Sequence, residues 1–82
     1  MRPTSSSRRK LSYIDQREWD SIEARIAEAE ANLTALRAEQ DSPEVVTNHS
    51  RLVELENEIA AAKAEVDRLY ARWAELESLI PR

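Results

Sequence analysis

The sequence has 82 residues, a formal net charge of −4 at pH 7, and no cysteine, glycine or phenylalanine. The absence of cysteine excludes a disulfide framework and a thiolate metal site, and no apolar run approaches the roughly 18 residues of a membrane span. About a third of the residues are charged, and Ala, Glu, Leu and Arg are abundant. Because this composition is typical of long helices and coiled coils, we expect an all-α protein. Since the sequence also lacks the apolar stretch of a signal peptide, we expect it in the cytoplasm.

The chain begins with a basic arm, residues 1–10. Residues 1–12 carry four basic residues and no acidic one, whereas residues 13–82 carry eight basic and sixteen acidic residues, a net charge of −8. The serine and proline content of the arm predicts a flexible linker. Its cations are equally suited to neutralising the phosphates of a nucleic acid without reading the sequence. The composition alone favours neither role.

The first predicted helix spans about residues 12–41, a stretch without proline. Ser12 is a candidate N-cap, and Asp15 stands three residues later in the capping-box position. Seam residues recur at alternating spacings of three and four, the a/d pattern of a coiled coil. These residues are Trp19, Ile22, Ile26, Ala29, Leu33, Leu36 and Gln40.

A tip at about residues 42–48 separates this helix from a second one at about 48–80, which we expect to end at Pro81. Ser42 followed by Pro43 is a natural helix start. Thr47 and Asn48 offer a second start, so a short helical turn can precede the long helix. The same spacing resumes along the second seam, at Val45, Asn48, Leu52, Leu55, Ile59, Ala62, Val66, Leu69, Trp73, Leu76 and Ile80.

Two helices of about 30 residues joined by a short link must run antiparallel against each other. The sequence therefore predicts an antiparallel two-helix coiled-coil hairpin within a single chain, spanning residues 11–80 and monomeric. In the register that best matches the two seams, the flanking charges are all opposite: Glu18 with Arg72, Arg25 with Glu65, and Glu39 with Arg51. A shift by one heptad in either direction brings like charges together, and this match argues against a parallel homodimer.

The open end of the hairpin, where the first helix begins and the second ends, is the place where basic side chains gather. We expect Leu11, Tyr13 and Ile14 to close this end against the last apolar residues of the second helix. The arm would then emerge beside the arginines of the second helix. The candidate nucleic-acid-binding residues are Arg8, Arg9, Lys10, Arg17, Arg68 and Arg72.

No arrangement of residues indicates catalysis or metal binding. The single histidine, His49, lies beside the tip and is expected to be solvated. Trp19 and Trp73 are suited to base stacking, but both fall on the seam, so we expect them to pack in the core. We therefore expect no catalytic, metal or cofactor site in this chain.

Three short motifs within the heptads carry a family resemblance: Lys10–Tyr13 (KLSY), Gln16–Glu18 (QRE) and Arg72–Leu76 (RWAEL). Over about residues 9–78 the chain resembles the C-terminal domain of ABC-F type ATPases of the Uup-like group. The resemblance implies a domain attached by a basic linker behind two ATP-binding cassettes. It further implies a soluble parent protein that acts on ribosomes or other nucleic-acid assemblies, with DNA binding associated with this hairpin in Uup-like members.

We therefore expect a fragment that forms a non-catalytic accessory domain, binding DNA or ribosomal RNA weakly through the arm and the open end of the hairpin. ATP would bind to the cassettes of the parent protein, since this chain has no glycine for a phosphate-binding loop. The alternative is a spacer or protein-interaction coiled coil, contacting the cassettes or another protein through its outer faces or its tip. In that case the partner would contact the hairpin through exposed apolar residues such as Val46 and Val53.

Overall fold

The computed structural model describes residues 12–80, which form three helices and no strand. Helix α1 spans Tyr13–Gln40, the short helix α2 spans Pro43–Val46, and α3 spans His49–Leu79. Helices α1 and α3 lie side by side in opposite directions, so the prediction of an all-α hairpin within one chain is confirmed. The arm, with Arg8, Arg9 and Lys10, lies outside the described residues, as do Leu11 and Pro81.

Local capping explains where the helices begin. Ser12 has an extended backbone, and its hydroxyl accepts a hydrogen bond from the backbone N–H of Asp15 at 3.0 Å. This bond satisfies one of the otherwise unpaired N–H groups of the first turn. The predicted cap at Ser12 is therefore confirmed. The carboxylate of Asp15 bonds instead to α3, as described below.

The tip uses both of the predicted helix starts. Ser42 precedes Pro43, and its carbonyl accepts hydrogen bonds from the N–H groups of Val45 and Val46 at 3.1 and 3.0 Å. Asn48 then starts α3, its side-chain oxygen accepting from the N–H of Arg51 at 3.1 Å. Because Val45 is buried, the short helix α2 is attached to the core.

The predicted seam forms the core of the hairpin. Every seam residue is buried or half-buried except Asn48, which is exposed where it caps α3. The fully buried side chains are Ile22, Leu55, Leu69 and Leu76. Full burial of one such side chain contributes about 1.5–3 kcal/mol, so the fold is stabilised mainly by this stripe.

The open end is closed differently from the sequence expectation. Trp19 and Trp73 stack with their ring centroids 6.0 Å apart and their planes at 25°, beside the buried Leu76. Tyr13 and Ile14 are 75% and 74% exposed, so the prediction that they pack against the end of α3 was wrong. Ser12 stands seven residues before Trp19, so it occupies the same heptad position as that seam residue. Tyr13 and Ile14 follow Ser12 by one and two residues, and these heptad positions point away from the partner helix.

Candidate nucleic-acid interface at the open end

Arg72 joins the two helices at the open end. Its guanidinium donates hydrogen bonds to Asp15 Oδ1 at 2.8 Å, Glu18 Oε1 at 3.0 Å and Glu75 Oε1 at 3.2 Å. We call these four residues the base ion-pair cluster. The bond to Glu18 is the main cause of the raised pKa of Arg72. Since three carboxylates surround this guanidinium, little of its charge is available to a phosphate.

Arg68, one turn earlier on α3, is paired within its own helix. Its guanidinium donates two hydrogen bonds to the carboxylate of Glu65, at 2.9 and 2.8 Å. This fork geometry is among the strongest arrangements of an arginine and a carboxylate. The pair lowers the pKa of Glu65 and raises that of Arg68. Arg68 therefore also presents a largely neutralised surface.

Arg17 is the third described residue of the predicted basic set, and it lies on the exposed outer face of α1. Its guanidinium carbon is 5.8 Å from the centroid of the Tyr13 ring, a cation–π contact at the edge of the usual range. It forms no ion pair within residues 12–80. The structure thus does not bring Arg17, Arg68 and Arg72 together into one exposed cationic patch.

The tip end carries a second arginine cluster. Arg51 donates two hydrogen bonds to Glu39 across the helix pair, at 2.8 and 2.9 Å, and further bonds to Glu54 at 3.1 Å and Glu58 at 2.9 Å. We call these residues the tip ion-pair cluster. The predicted pairs of Glu39 with Arg51 and of Glu18 with Arg72 are both confirmed, and with them the register.

The third predicted pair is weaker than expected. Arg25 acts on Glu65 only through space, helping to lower its pKa, while Arg68 makes the hydrogen bonds. A pair separated by three residues on one helix forms without help from the other helix. That local pairing explains why Arg68 takes the carboxylate.

Two cross-helix bonds escaped the sequence analysis. The first is the bond of Asp15 to Arg72, which was detectable in principle because Asp15 stands seven residues before Ile22 and so extends the seam pattern. The second joins the Tyr70 hydroxyl to Glu30 Oε2 at 2.8 Å and raises the pKa of Tyr70. A tyrosine beside the seam gives no signal for a bond across so long a separation in the sequence.

His49 is exposed at the start of α3, as expected. Within residues 12–80 no group of three or more His, Cys, Asp or Glu side chains is arranged to hold a metal ion. None of the helices described is long and apolar enough to cross a membrane.

The paired carboxylates predict how stability depends on pH. Hydrogen bonds from Arg51 and Arg68 lower the pKa values of Glu39 and Glu65 below the ordinary value of 4.5. A carboxylate with a lowered folded-state pKa stabilises the fold above its unfolded pKa, and this contribution is lost as the pH falls through the lowered value. The midpoint of thermal unfolding should therefore fall on acidification below about pH 4.5.

Exchanging Glu39 for glutamine tests this dependence by circular dichroism. Glu39→Gln should lower the unfolding temperature at pH 7 and reduce its further fall at acidic pH. Glu56→Gln, which removes an exposed carboxylate from the same end of the hairpin, is the matched control and should behave like the unchanged chain. An acid transition of Glu39→Gln as steep as that of the unchanged chain would contradict the assignment.

These features describe a helical hairpin that is held by an apolar seam and carries an arginine cluster at each end. Hairpins of this class serve as interaction or accessory modules. The ABC transporter C-terminal domain family matches residues 10–78. The chain is 38% identical over 73 residues to the uncharacterized ABC transporter ATP-binding protein YfmR of Bacillus subtilis (strain 168). That alignment covers 89% of this chain and 11% of YfmR. No solved structure matches the chain.

The chain therefore belongs to the ABC transporter C-terminal domain family, which confirms the resemblance to the C-terminal domain of ABC-F type proteins. It spans only about a tenth of the length of the relative that it matches.

Proposed function

We propose that this domain binds DNA or ribosomal RNA weakly, through its basic arm, on behalf of a cytoplasmic ABC-F type ATPase. ATP binding and hydrolysis belong to the cassettes of the parent protein, and the domain itself acts as a monomer without catalysis. The observation that carries the proposal is the separation of charge, +4 over residues 1–12 and −8 over residues 13–82.

The ion pairs of the hairpin refine which cations take part. Arg68 and Arg72 are hydrogen-bonded to carboxylates of the hairpin, whereas Arg17 is exposed on the side of α1 that faces away from α3. The cations that we propose to meet phosphates are therefore Arg17 of the hairpin and, in the arm, Arg8, Arg9 and Lys10. Arg68 and Arg72 have the smaller part, because a phosphate would have to displace the carboxylate of Glu65 from Arg68 and, at Arg72, the bonds that join the two helices.

The acidic hairpin does not prevent such binding. Its negative charges are spread along α3 and α1, and 31 helical residues extend about 46 Å. At physiological ionic strength, exposed charges separated by more than about 8 Å are largely screened from each other. A phosphate at the arm is therefore expected to respond mainly to the arm, to the first turns of α1 and to the last turns of α3.

The salt dependence of binding tests the proposal. Each phosphate contact on duplex DNA contributes about 0.9 to the slope of log K against log salt. Replacing Arg8, Arg9 and Lys10 with alanine in the full chain should lower the affinity for a labelled duplex and reduce the slope by up to about 2.7. Fluorescence anisotropy at several salt concentrations measures both quantities.

A control variant with the same change of charge separates the effect of the arm from the effect of the net charge of the chain. Alanine at Arg25, Arg37 and Lys63 removes three exposed cations from the hairpin itself, and it should leave the slope unchanged. Equal slopes for the arm variant and the unchanged chain would remove the arm from the mechanism.

A second candidate function, that of a protein-interaction hairpin, is favoured by two exposed apolar side chains, Val46 at the tip and Val53 near the start of α3. Under this alternative the cassettes of the parent protein or another protein would be the partner. Failure of the unchanged chain to bind any nucleic acid at low salt would favour this function over the first.

A further inference from the structure

A groove between α1 and α3 lies beside the tryptophan pair. Four residues line it, Glu23 and Ile26 from α1 and Tyr70 and Trp73 from α3. Its volume is about 230 Å³, which is below the roughly 300–1,000 Å³ of sites that enclose a drug-sized molecule. The groove therefore suits a single side chain of a partner better than a whole small molecule.

The walls of the groove are held in place by contacts that the fold already makes. The Tyr70 hydroxyl donates to Glu30 of α1 at 2.8 Å, so the tyrosine reaches across from α3. The Trp73 indole is stacked on Trp19, and Ile26 is only 7% exposed. A bound side chain would meet two aromatic rings and an apolar surface that are already ordered, which lowers the cost of binding.

The rim of the groove carries a carboxylate that the described fold does not use. Glu23 is exposed and has no ion-pair partner within residues 12–80. Each of the four lining residues also has an acidic residue three or four positions away on its own helix, and none has a lysine or arginine at those positions. Residues at these spacings are neighbours on a helix surface. The neighbouring acids are Asp20, Glu30, Asp67 and Glu77.

The nearest basic residues of α3 do not cancel this negative charge. Arg72 precedes Trp73 in the sequence, but its guanidinium is bonded to the three carboxylates of the base ion-pair cluster. Lys63 lies seven residues before Tyr70, about 10 Å along the helix, which exceeds the screening length of about 8 Å at physiological ionic strength. The groove therefore favours a cation and disfavours a phosphate.

We propose that this groove binds the side chain of an arginine that protrudes from a basic protein partner. A guanidinium stacks on aromatic rings and is more weakly hydrated than an ammonium. Its methylene stem suits the apolar surface of Ile26, and its charge pairs with Glu23. The inference is independent of the proposed binding of nucleic acid, and it gives the hairpin a protein partner on a face other than the tip.

Peptides that differ in one side chain test the inference on the full chain. The probe is a capped peptide of glycine and serine with one central arginine, and its control carries citrulline, which has a similar shape without the charge. In a nuclear magnetic resonance titration at low salt, the arginine peptide should shift the indole N–H signal of Trp73 saturably, and the citrulline peptide should not. A lysine peptide should bind more weakly, because an ammonium is more strongly hydrated.

Variants of the groove identify the contacts. Tyr70→Leu should weaken binding of the arginine peptide by about two- to fivefold, the range of a cation–π contact at an exposed site. Tyr70→Phe loses only the bond to Glu30 and should bind better than Tyr70→Leu. Glu23→Gln should weaken binding by up to about fivefold. Glu28→Gln, which removes an exposed carboxylate elsewhere on α1, should have no effect. Circular dichroism verifies that each variant has the helix content of the unchanged chain.

The possible failures are distinguishable. The inference is overturned if the arginine peptide gives no saturable shift, if the citrulline or lysine peptide binds equally well, or if Tyr70→Leu or Glu23→Gln keeps the full affinity. It is also overturned if the Trp73 signal shifts when the chain alone is diluted, since a second copy would then fill the groove. The proposed function fails separately, because it depends on duplex binding, which Tyr70→Leu should leave unchanged.

Discussion

Replacing Leu69 with alanine is expected to leave the hairpin largely unfolded at room temperature. Leu69 is 2% exposed and packs in the cluster formed by Ile22, Ile26 and Leu76. Truncating a buried leucine to alanine costs about 2–5 kcal/mol, because apolar contact is lost and a cavity remains. A core of this size supplies only about 3–5 kcal/mol in total. One such change thus removes most or all of the stability.

The matched control is a second leucine of the same helix. Leu79 is 46% exposed near the end of α3, and Leu79→Ala should change the unfolding free energy little. Far-ultraviolet circular dichroism during urea and thermal unfolding measures both variants. A cooperative transition of Leu69→Ala with the midpoint of the unchanged chain would show that the seam is not the main source of stability.

Removing the aromatic stack at the open end should have the next largest effect. Trp73 is half-buried and stacks on Trp19 at 6.0 Å. Loss of a tryptophan to alanine costs about 3–5 kcal/mol in a core, and partial exposure places Trp73→Ala near the lower end of that range. The hairpin should open first at this end, because the stack joins α1 and α3 just inside the base ion-pair cluster.

Spectroscopy distinguishes the stack from simple burial. Stacked indoles give an exciton-coupled circular dichroism band, which should vanish in both Trp73→Ala and Trp73→Phe. The phenylalanine variant keeps an apolar ring against Trp19 and should retain more of the unfolding free energy. Equal unfolding midpoints for Trp73→Ala and the unchanged chain would show that the pair is not part of the core.

Most of the fold was accessible from the sequence because a hairpin depends on a repeating pattern. The heptad spacing places a whole stripe of residues on one face, so an error at any one position does not alter the prediction. Opposite charges at Glu39 and Arg51, and at Glu18 and Arg72, then selected one register. The helix starts at Ser12 and Asn48 were predictable for a different reason, because an N-cap depends only on neighbours within one turn.

The candidate site was harder to predict from the sequence, because heptad position does not decide which of several acceptors an arginine will bind. Arg68 stands near the open end in the sequence pattern, yet its guanidinium turns to Glu65 of its own helix. Arg72 similarly has three carboxylates within reach and bonds to all of them. The exposure of Tyr13 could have been predicted from its heptad position. It was missed because we expected the apolar residues near the start of α1 to pack against the end of α3.

The hairpin begins and ends on the same side, since Asp15 in the first turn of α1 bonds to Arg72 in the last third of α3, and the tip lies at the other end of α3, which is about 46 Å long. An attachment that fixed the first turn of α1 itself would therefore also set the direction in which the tip points. A tilt of roughly 10° at that attachment carries Val46 and Val53 through roughly 8 Å, more than the pitch of one helical turn. Small rearrangements at the point of attachment would thus become large displacements at the far extremity.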